Sequence, residues 1–160
     1  SHPDPSVDRR SGFLLPKFSD SKNLGSGLSI PYYYAKGKDK DFTFTNNFYL
    51  NENPLFLGEY RQAFKNLNLT LDAGYTEGYK KTNSSKRSGN KSHFYSNFVK
   101  LFESNNNSEN LLKIKTQNVT NDKYLKLYRV QSDLVDYNQD ILENYLDFSH
   151  SNDDFFLVQM

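Results

Sequence analysis

Two prolines interrupt neighbouring apolar segments: Pro16 in RRSGFLLPKF (9–18) and Pro31 in LSIPYYY (28–34). Proline has no backbone N–H, so inside a strand it withholds one ladder hydrogen bond and is ordinarily confined to edges and bulges. The chemistry available to this pair is mechanical: a seam left short of bonds. On the residues alone each proline reads as the start or end of an edge strand, where proline is ordinarily tolerated. A second candidate is KKTNSSKRSGNK (80–91), which carries Lys80, Lys81, Lys86, Arg87 and Lys91 among small polar spacers. Such cations make charge-assisted contacts to phosphate, or decorate a solvated loop tip. A third set, Glu59, Arg61, Asn68, Thr70 and Asp72, alternates with apolar neighbours.

Reaction chemistry finds little support. His2, His93 and His150 stand apart, without metal-ligand spacing among themselves or to nearby carboxylates, and read as surface or strand histidines. No nucleophile elbow, phosphate-binding glycine loop or metalloprotease motif is present. GSG at 25–27 reads as a turn, and Asp153-Asp154 offers too few oxygens for calcium. The expectation is a protein without catalysis, cofactor or metal site. A net charge of +1 gives no strong field toward nucleic acid. The aromatic residues share faces with leucine, whereas a base-stacking platform needs them on a basic face.

The elements that must position these residues follow from period 2. In LNLTLDAGY (67–75), Leu67, Leu69, Leu71, Ala73 and Tyr75 share one face, and Asn68, Thr70, Asp72 and Gly74 the other. In DFTFTNNFYL (41–50), Phe42, Phe44, Phe48 and Leu50 oppose Thr43, Thr45 and Asn47; in PLFLGEYRQAF (54–64), Phe56, Tyr60 and Phe64 oppose Glu59, Arg61 and Ala63. The spacing predicts strands at 12–18, 27–35, 41–50, 55–64, 67–76, 92–103, 110–119, 141–150 and 154–160, with irregular chain before 141, although DLVDYNQDILENYL (133–146) also reads as a helix with Leu134, Ile141 and Tyr145 in rough register. The expected fold is all-β, an antiparallel meander.

The strands run to about ten residues, the length of a tilted bilayer-crossing strand. Phe (13) and Tyr (12) supply all the aromatic residues, a high share for a chain whose mean hydropathy is −0.82, and both favour strands and membrane interfaces. Connectors after even-numbered strands are short (KGKDK, KN, ESNNNSEN, SND), and the two longest, 77–91 and 120–140, follow odd-numbered strands. That asymmetry is typical of outer-membrane barrels, although NENP (51–54) is short on the long-connector side. Alternating strands also build soluble sandwiches and soluble barrels, and periodicity alone leaves the choice open. Cysteine is absent, so the redox compartment stays open. Without an initiator Met, and ending within FFLVQM, the chain is expected to be a piece of a longer protein.

The stretch HPDPSVDRRSGFLLPKF, followed by SIPYYY and FLGEYRQAF, resembles the start of the barrel in the LptD family of lipopolysaccharide-assembly proteins. The resemblance is carried by Arg9, Arg10, Ser11, Gly12, Phe13, Leu14, Leu15 and Pro16, then Pro31, Tyr32 and Tyr33, then Asp41, then Glu59, Tyr60 and Arg61. It is specific over the first 65 residues and one of style beyond them. Tyr34 stands where the family often has Trp, and Asn46 falls near a frequent third proline. The resemblance implies a lead-in over 1–11 from a preceding periplasmic domain, then the N-terminal strands of a large transmembrane β-barrel over 12–160. It implies lipopolysaccharide transport and insertion into the outer leaflet of the Gram-negative outer membrane, through a lateral gate between the first and last barrel strands to which Pro16, Pro31, Gly12 and Phe13 belong. Glu59, Arg61, Asn68, Thr70 and Asp72 would then face the lumen, and Lys80, Lys81, Lys86 and Arg87 would meet phosphates outside the cell. The implied partners are lipopolysaccharide, outer-membrane lipid, a plug lipoprotein of the LptE type and a periplasmic bridge protein of the LptA type, with no nucleic acid. Two alternatives stay open: another outer-membrane porin or receptor barrel, and a soluble carbohydrate-binding β-sandwich.

Overall fold

The computed structural model describes residues 9–80, 89–103, 108–121, 123–152 and 158–159. Alternation of β-branched and aromatic residues with polar ones sets the strands. They are β1 (Gly12–Phe13), β2 (Lys17–Ser21), β3 (Gly25–Ala35), β4 (Lys40–Tyr49), β5 (Leu55–Phe64), β6 (Leu67–Thr76), β7 (Lys91–Glu103) and β8 (Ser108–Val119). One short helix, α1 (Tyr124–Tyr128), then precedes β9 (Tyr145–Asn152) and β10 (Val158–Gln159). The protein is all-β. Among the described residues all ten strands join one antiparallel sheet, each pairing with its sequence neighbour, except that β1 and β2 share the edge of β3.

Register sorts the side chains onto two faces, because directly paired residues of an antiparallel ladder project to the same side. Tyr32, Phe44, Gly58, Ala73 and Phe94 lie in one cross-strand row; Tyr34, Phe42, Tyr60, Leu71 and Ser96 lie in another. This aromatic face is uncovered among the described residues: Phe48, Phe56 and Phe94 keep 45%, 38% and 49% of their surface exposed. Its rings stack on one another, Phe42–Phe44 and Phe44–Phe56 both at 6.4 Å between centroids. Leu67, Leu69 and Leu71 sit on it half-buried, outside the buried cluster.

The opposite, polar face is the covered one. Chain between β8 and β9, residues 120–121 and 123–144, folds back over it as a strap. Tyr124, Leu125, Tyr128, Val130 and Val135 of the strap are buried against Leu55 of β5, Tyr95 of β7 and Leu24 of the β2–β3 turn. A buried side chain of this kind contributes about 1.5–3 kcal/mol. The buried cluster thus lies between sheet and strap, with no second sheet among the described residues.

Several elements differ from expectation: β8 begins two residues early at Ser108, β4 runs 40–49 instead of 41–50, and β7 begins at Lys91 instead of 92. The first strand is split at Leu14–Pro16, β3 begins two residues early at Gly25, and β9 runs 145–152 instead of 141–150. Connector 120–140 contains α1. Of the strand expected at 154–160, only Val158–Gln159 lies within the described residues.

Candidate functional site

The split edge strand is where the two prolines act. Gly12 pairs with Tyr33 and Phe13 with Tyr32. Leu14 extends the same register to Pro31, whose carbonyl accepts the Leu14 N–H at 2.9 Å. In such a pair the two residues exchange both bonds. The reciprocal one, from residue 31 to the Leu14 carbonyl, is the bond a proline cannot make. Because a strand residue's N–H and C=O point to the same neighbour, the missing donor of Pro31 faces the edge strand, and the β3–β4 ladder runs unbroken through Pro31↔Thr45.

Pairing resumes at Lys17↔Ser29 and Phe18↔Leu28. Between the two paired stretches the edge strand has three residues, Leu14 to Pro16, against two on β3, Ile30 and Pro31. That is a β-bulge with Pro16 as its last residue. It resets the alternation, so Phe13 and Phe18, five apart, both fall on the aromatic face; Phe13 meets Tyr32 edge-on at 5.0 Å. Of the four residues expected at this seam, Pro16 and Pro31 shape it directly and Gly12 and Phe13 form β1. A side chain at Gly12 would meet nothing within 4 Å, so space does not demand glycine there.

Glu59, Arg61, Asn68, Thr70 and Asp72 all share the polar face, as alternation requires. Arg61 is a junction: its Nε donates to Asp41 at 2.8 Å, and one terminal nitrogen lies 2.9 Å from Glu59 and 3.4 Å from Asp133. Arg9 joins from the lead-in, donating to Asp41 at 3.1 Å. Asp133 belongs to the strap, so this network ties strap to sheet. Asn68 is exposed beside the junction, and Thr70 is half-buried.

A second tie was hidden in the sequence. His93 Nε2 lies 2.7 Å from Asp72, and its Nδ1 lies 3.3 Å from the hydroxyl of Tyr124 in α1. The consistent tautomer has Nε2–H donating to the Asp72 carboxylate and the phenol donating to Nδ1. His93 is paired directly with Gly74. A Cβ at Gly74 would come within 2.4 Å of the imidazole, so the glycine makes the space the ring occupies. Alternation placed Asp72 on the polar face of its strand, while His93 read only as a surface or strand histidine; the β6–β7 register that joins them was not legible. A third tie is Gln117 of β8, buried, which accepts from the Glu143 N–H at 2.7 Å and receives the Asn144 side chain on its carbonyl at 3.2 Å.

Burial raises the Tyr128 hydroxyl pKa from 10.0 to about 12, with the Tyr79 and Glu52 charges adding to it. Burial, then Tyr128 and Asp72, also raises Tyr124. Both phenols stay neutral inside the strap. Lys80 is exposed and its backbone N–H donates to Glu52 at 2.8 Å. Lys81, Lys86 and Arg87 lie outside the described residues.

No family model matches the chain. Part of it is similar to curated proteins named LPS-assembly protein LptD. That of Methylococcus capsulatus is 45% identical over 58 residues and that of Psychrobacter cryohalolentis 38% identical over 58 residues, each match covering 36% of this chain. That of Nitrosococcus oceani is 40% identical over 53 residues, 33% of this chain. The matched stretch spans 6% of the length of the first two relatives and 7% of the third.

Proposed function

We propose that this chain forms the leading strands of an outer-membrane β-barrel that transports lipopolysaccharide and inserts it into the outer leaflet, without covalent chemistry. The aromatic face meets outer-membrane lipid. The polar face, with Glu59, Arg61, Asn68, Thr70 and Asp72, lines the lumen. A plug lipoprotein of the LptE type and a bridge protein of the LptA type complete the route. The observation that carries this reading is the Leu14–Pro31 pair, with one hydrogen bond made and its reciprocal deleted by proline beside a bulge. Each backbone bond nets about 0.5–1.5 kcal/mol. An edge strand short of a donor is held to β3 less tightly than an intact strand, which loosens the closing edge where the first barrel strand meets the last and lipid leaves sideways. The similarity of part of the chain to LptD proteins supports the same reading.

The test locks the seam. Phe13 and Tyr32 are direct partners adjacent to a hydrogen-bonded pair, a position where Cα atoms lie about 4.5 Å apart, within the disulfide range of about 4.4–6.8 Å. The chain has no cysteine of its own. Phe13→Cys with Tyr32→Cys, oxidised, is expected to stop lipopolysaccharide transfer in reconstituted vesicles, and reduction to restore it. Transfer undiminished by the closed disulfide would overturn the gate.

A further inference from the structure

A cavity of ≈ 410 Å³ lies on the polar face beside the seam, roofed by the strap. It falls in the size class of small-ligand pockets, about 300–1,000 Å³. Its polar lining includes Lys17 of the edge strand, Ser29 of β3, Thr45 and Asn47 of β4, and Arg129 and Gln131 of the strap. By register Lys17 shares the face of Ser29 and so points to the cavity side. Neither Lys17 nor Arg129 has a side-chain hydrogen bond or ion pair among the described residues, and both are exposed. The one carboxylate at the cavity, Asp20, pairs with Ser26 on the aromatic face, where its side chain receives the Ser26 hydroxyl at 3.5 Å. The chamber is therefore cationic, and hydroxyl and amide groups share its lining with the two charges.

Arg129 adds a second observation. It closes α1 in the left-handed conformation (φ 51°) and is the one non-glycine residue with positive φ among the described residues. That position of a helix terminus favours glycine. An arginine there accepts a backbone cost that a glycine would not carry, and the residue borders the cavity.

We infer that this cavity binds a phosphorylated sugar, the phosphate held between Lys17 and Arg129 and the ring hydroxyls bonded to Ser29, Thr45, Asn47 and Gln131. The ligand class rests on the lipopolysaccharide reading; the site rests on the cavity and its two unpaired cations. An occupant held by Lys17 and Arg129 together bridges the edge strand to the strap, so its departure frees both at the seam.

Calorimetric titration of the full chain in detergent micelles tests this, with glucosamine phosphate, N-acetylglucosamine and inorganic phosphate as probes. Glucosamine phosphate is expected to bind at least about tenfold more tightly than either of the others, because each lacks one half of the recognition. Lys17→Gln and Arg129→Gly should each weaken it by about tenfold or more. Arg129→Gly relieves the left-handed cap, so loss of binding with unchanged or raised thermal stability separates the site from the fold. Competition by a phosphorylated glucosamine lipid assigns the source to a lipid headgroup; competition by the free sugar phosphate alone assigns it to a soluble sugar. Equal binding of all three probes, or affinity untouched by both substitutions, overturns the inference. Sugar-phosphate binding with an inert seam disulfide would sink the transport reading and leave the site standing; a functional seam without sugar-phosphate binding would do the reverse.

Discussion

At the residue scale, the chain shows how one small side chain makes room for a polar tie. Gly74 faces His93 across the β6–β7 ladder, and the imidazole occupies the volume a Cβ would take. Gly74→Val is expected to destabilise the fold by about 1–3 kcal/mol through overpacking, measured by denaturant titration in micelles. Stability within error of the parent would show that the ring relocates freely. The two strap phenols make a pH prediction. A phenol raised above its ordinary value of 10.0 favours its neutral form in the folded chain. Its contribution is complete below that value and is lost as pH climbs through 10.0 toward the 12 or so of Tyr128. The strap should loosen over that window, read as rising protease cleavage between 120 and 144, and Tyr128→Phe should blunt the rise. Alternation alone put Glu59 and Arg61 on one face of their strand and Asn68, Thr70 and Asp72 on one face of theirs; the β5–β6 register brings the two sets together. What joins them to Asp133 or Tyr124 was illegible, because contacts between a strand and distant irregular chain leave no periodic mark.

At the element scale, the edge strand is the instructive case. GFLLPKF reads as one apolar strand over 12–18, yet a strand with uniform alternation would put Phe13 and Phe18 on opposite faces. The extra residue of the bulge places both on the aromatic face, and Pro16 ends it where its missing donor is least costly. Nothing in the local sequence states that the count is three against two; that emerges only when β3 supplies the partners. Likewise YLKLY makes a single helical turn in α1, too short for helical periodicity to show; packing of Tyr124, Leu125 and Tyr128 on the sheet holds it. The seam makes its own prediction. Pro31→Thr restores the N–H that faces the Leu14 carbonyl, and the added bond should slow hydrogen exchange at the Leu14 amide roughly threefold to tenfold. Exchange no slower than in the parent would mean that the bulge, and not the missing donor, governs the edge.

At the scale of the whole molecule, the decisive fact is which face is covered. A sandwich hides its apolar face against a second sheet. Here the strap covers the polar face, while the stacked rings of Phe42, Phe44 and Phe56 and the side chains of Tyr75 and Phe94 stay open among the described residues. At the short-turn end of the same face, Lys40 lies over Phe64 at 5.2 Å and Lys100 over Phe102 at 4.6 Å. Cations on aromatic rings at the rim of an apolar band suit the boundary between acyl chains and headgroups. Ten-residue strands rising about 3.3 Å per residue and tilted about 40° span about 25 Å, the height of an outer-membrane apolar band. This orientation is directly testable because the chain contains no Trp. A single reporter at Phe44→Trp, in the middle of the aromatic face, should be strongly quenched by bromine-labelled lipid in reconstituted vesicles. One at Thr43→Trp, a single residue away on the polar face, should be quenched several-fold less, because period 2 turns it from the acyl chains toward the strap side. Equal quenching at both positions would mean that the two faces do not meet different solvents, and the assignment of the aromatic face to lipid would fall with it.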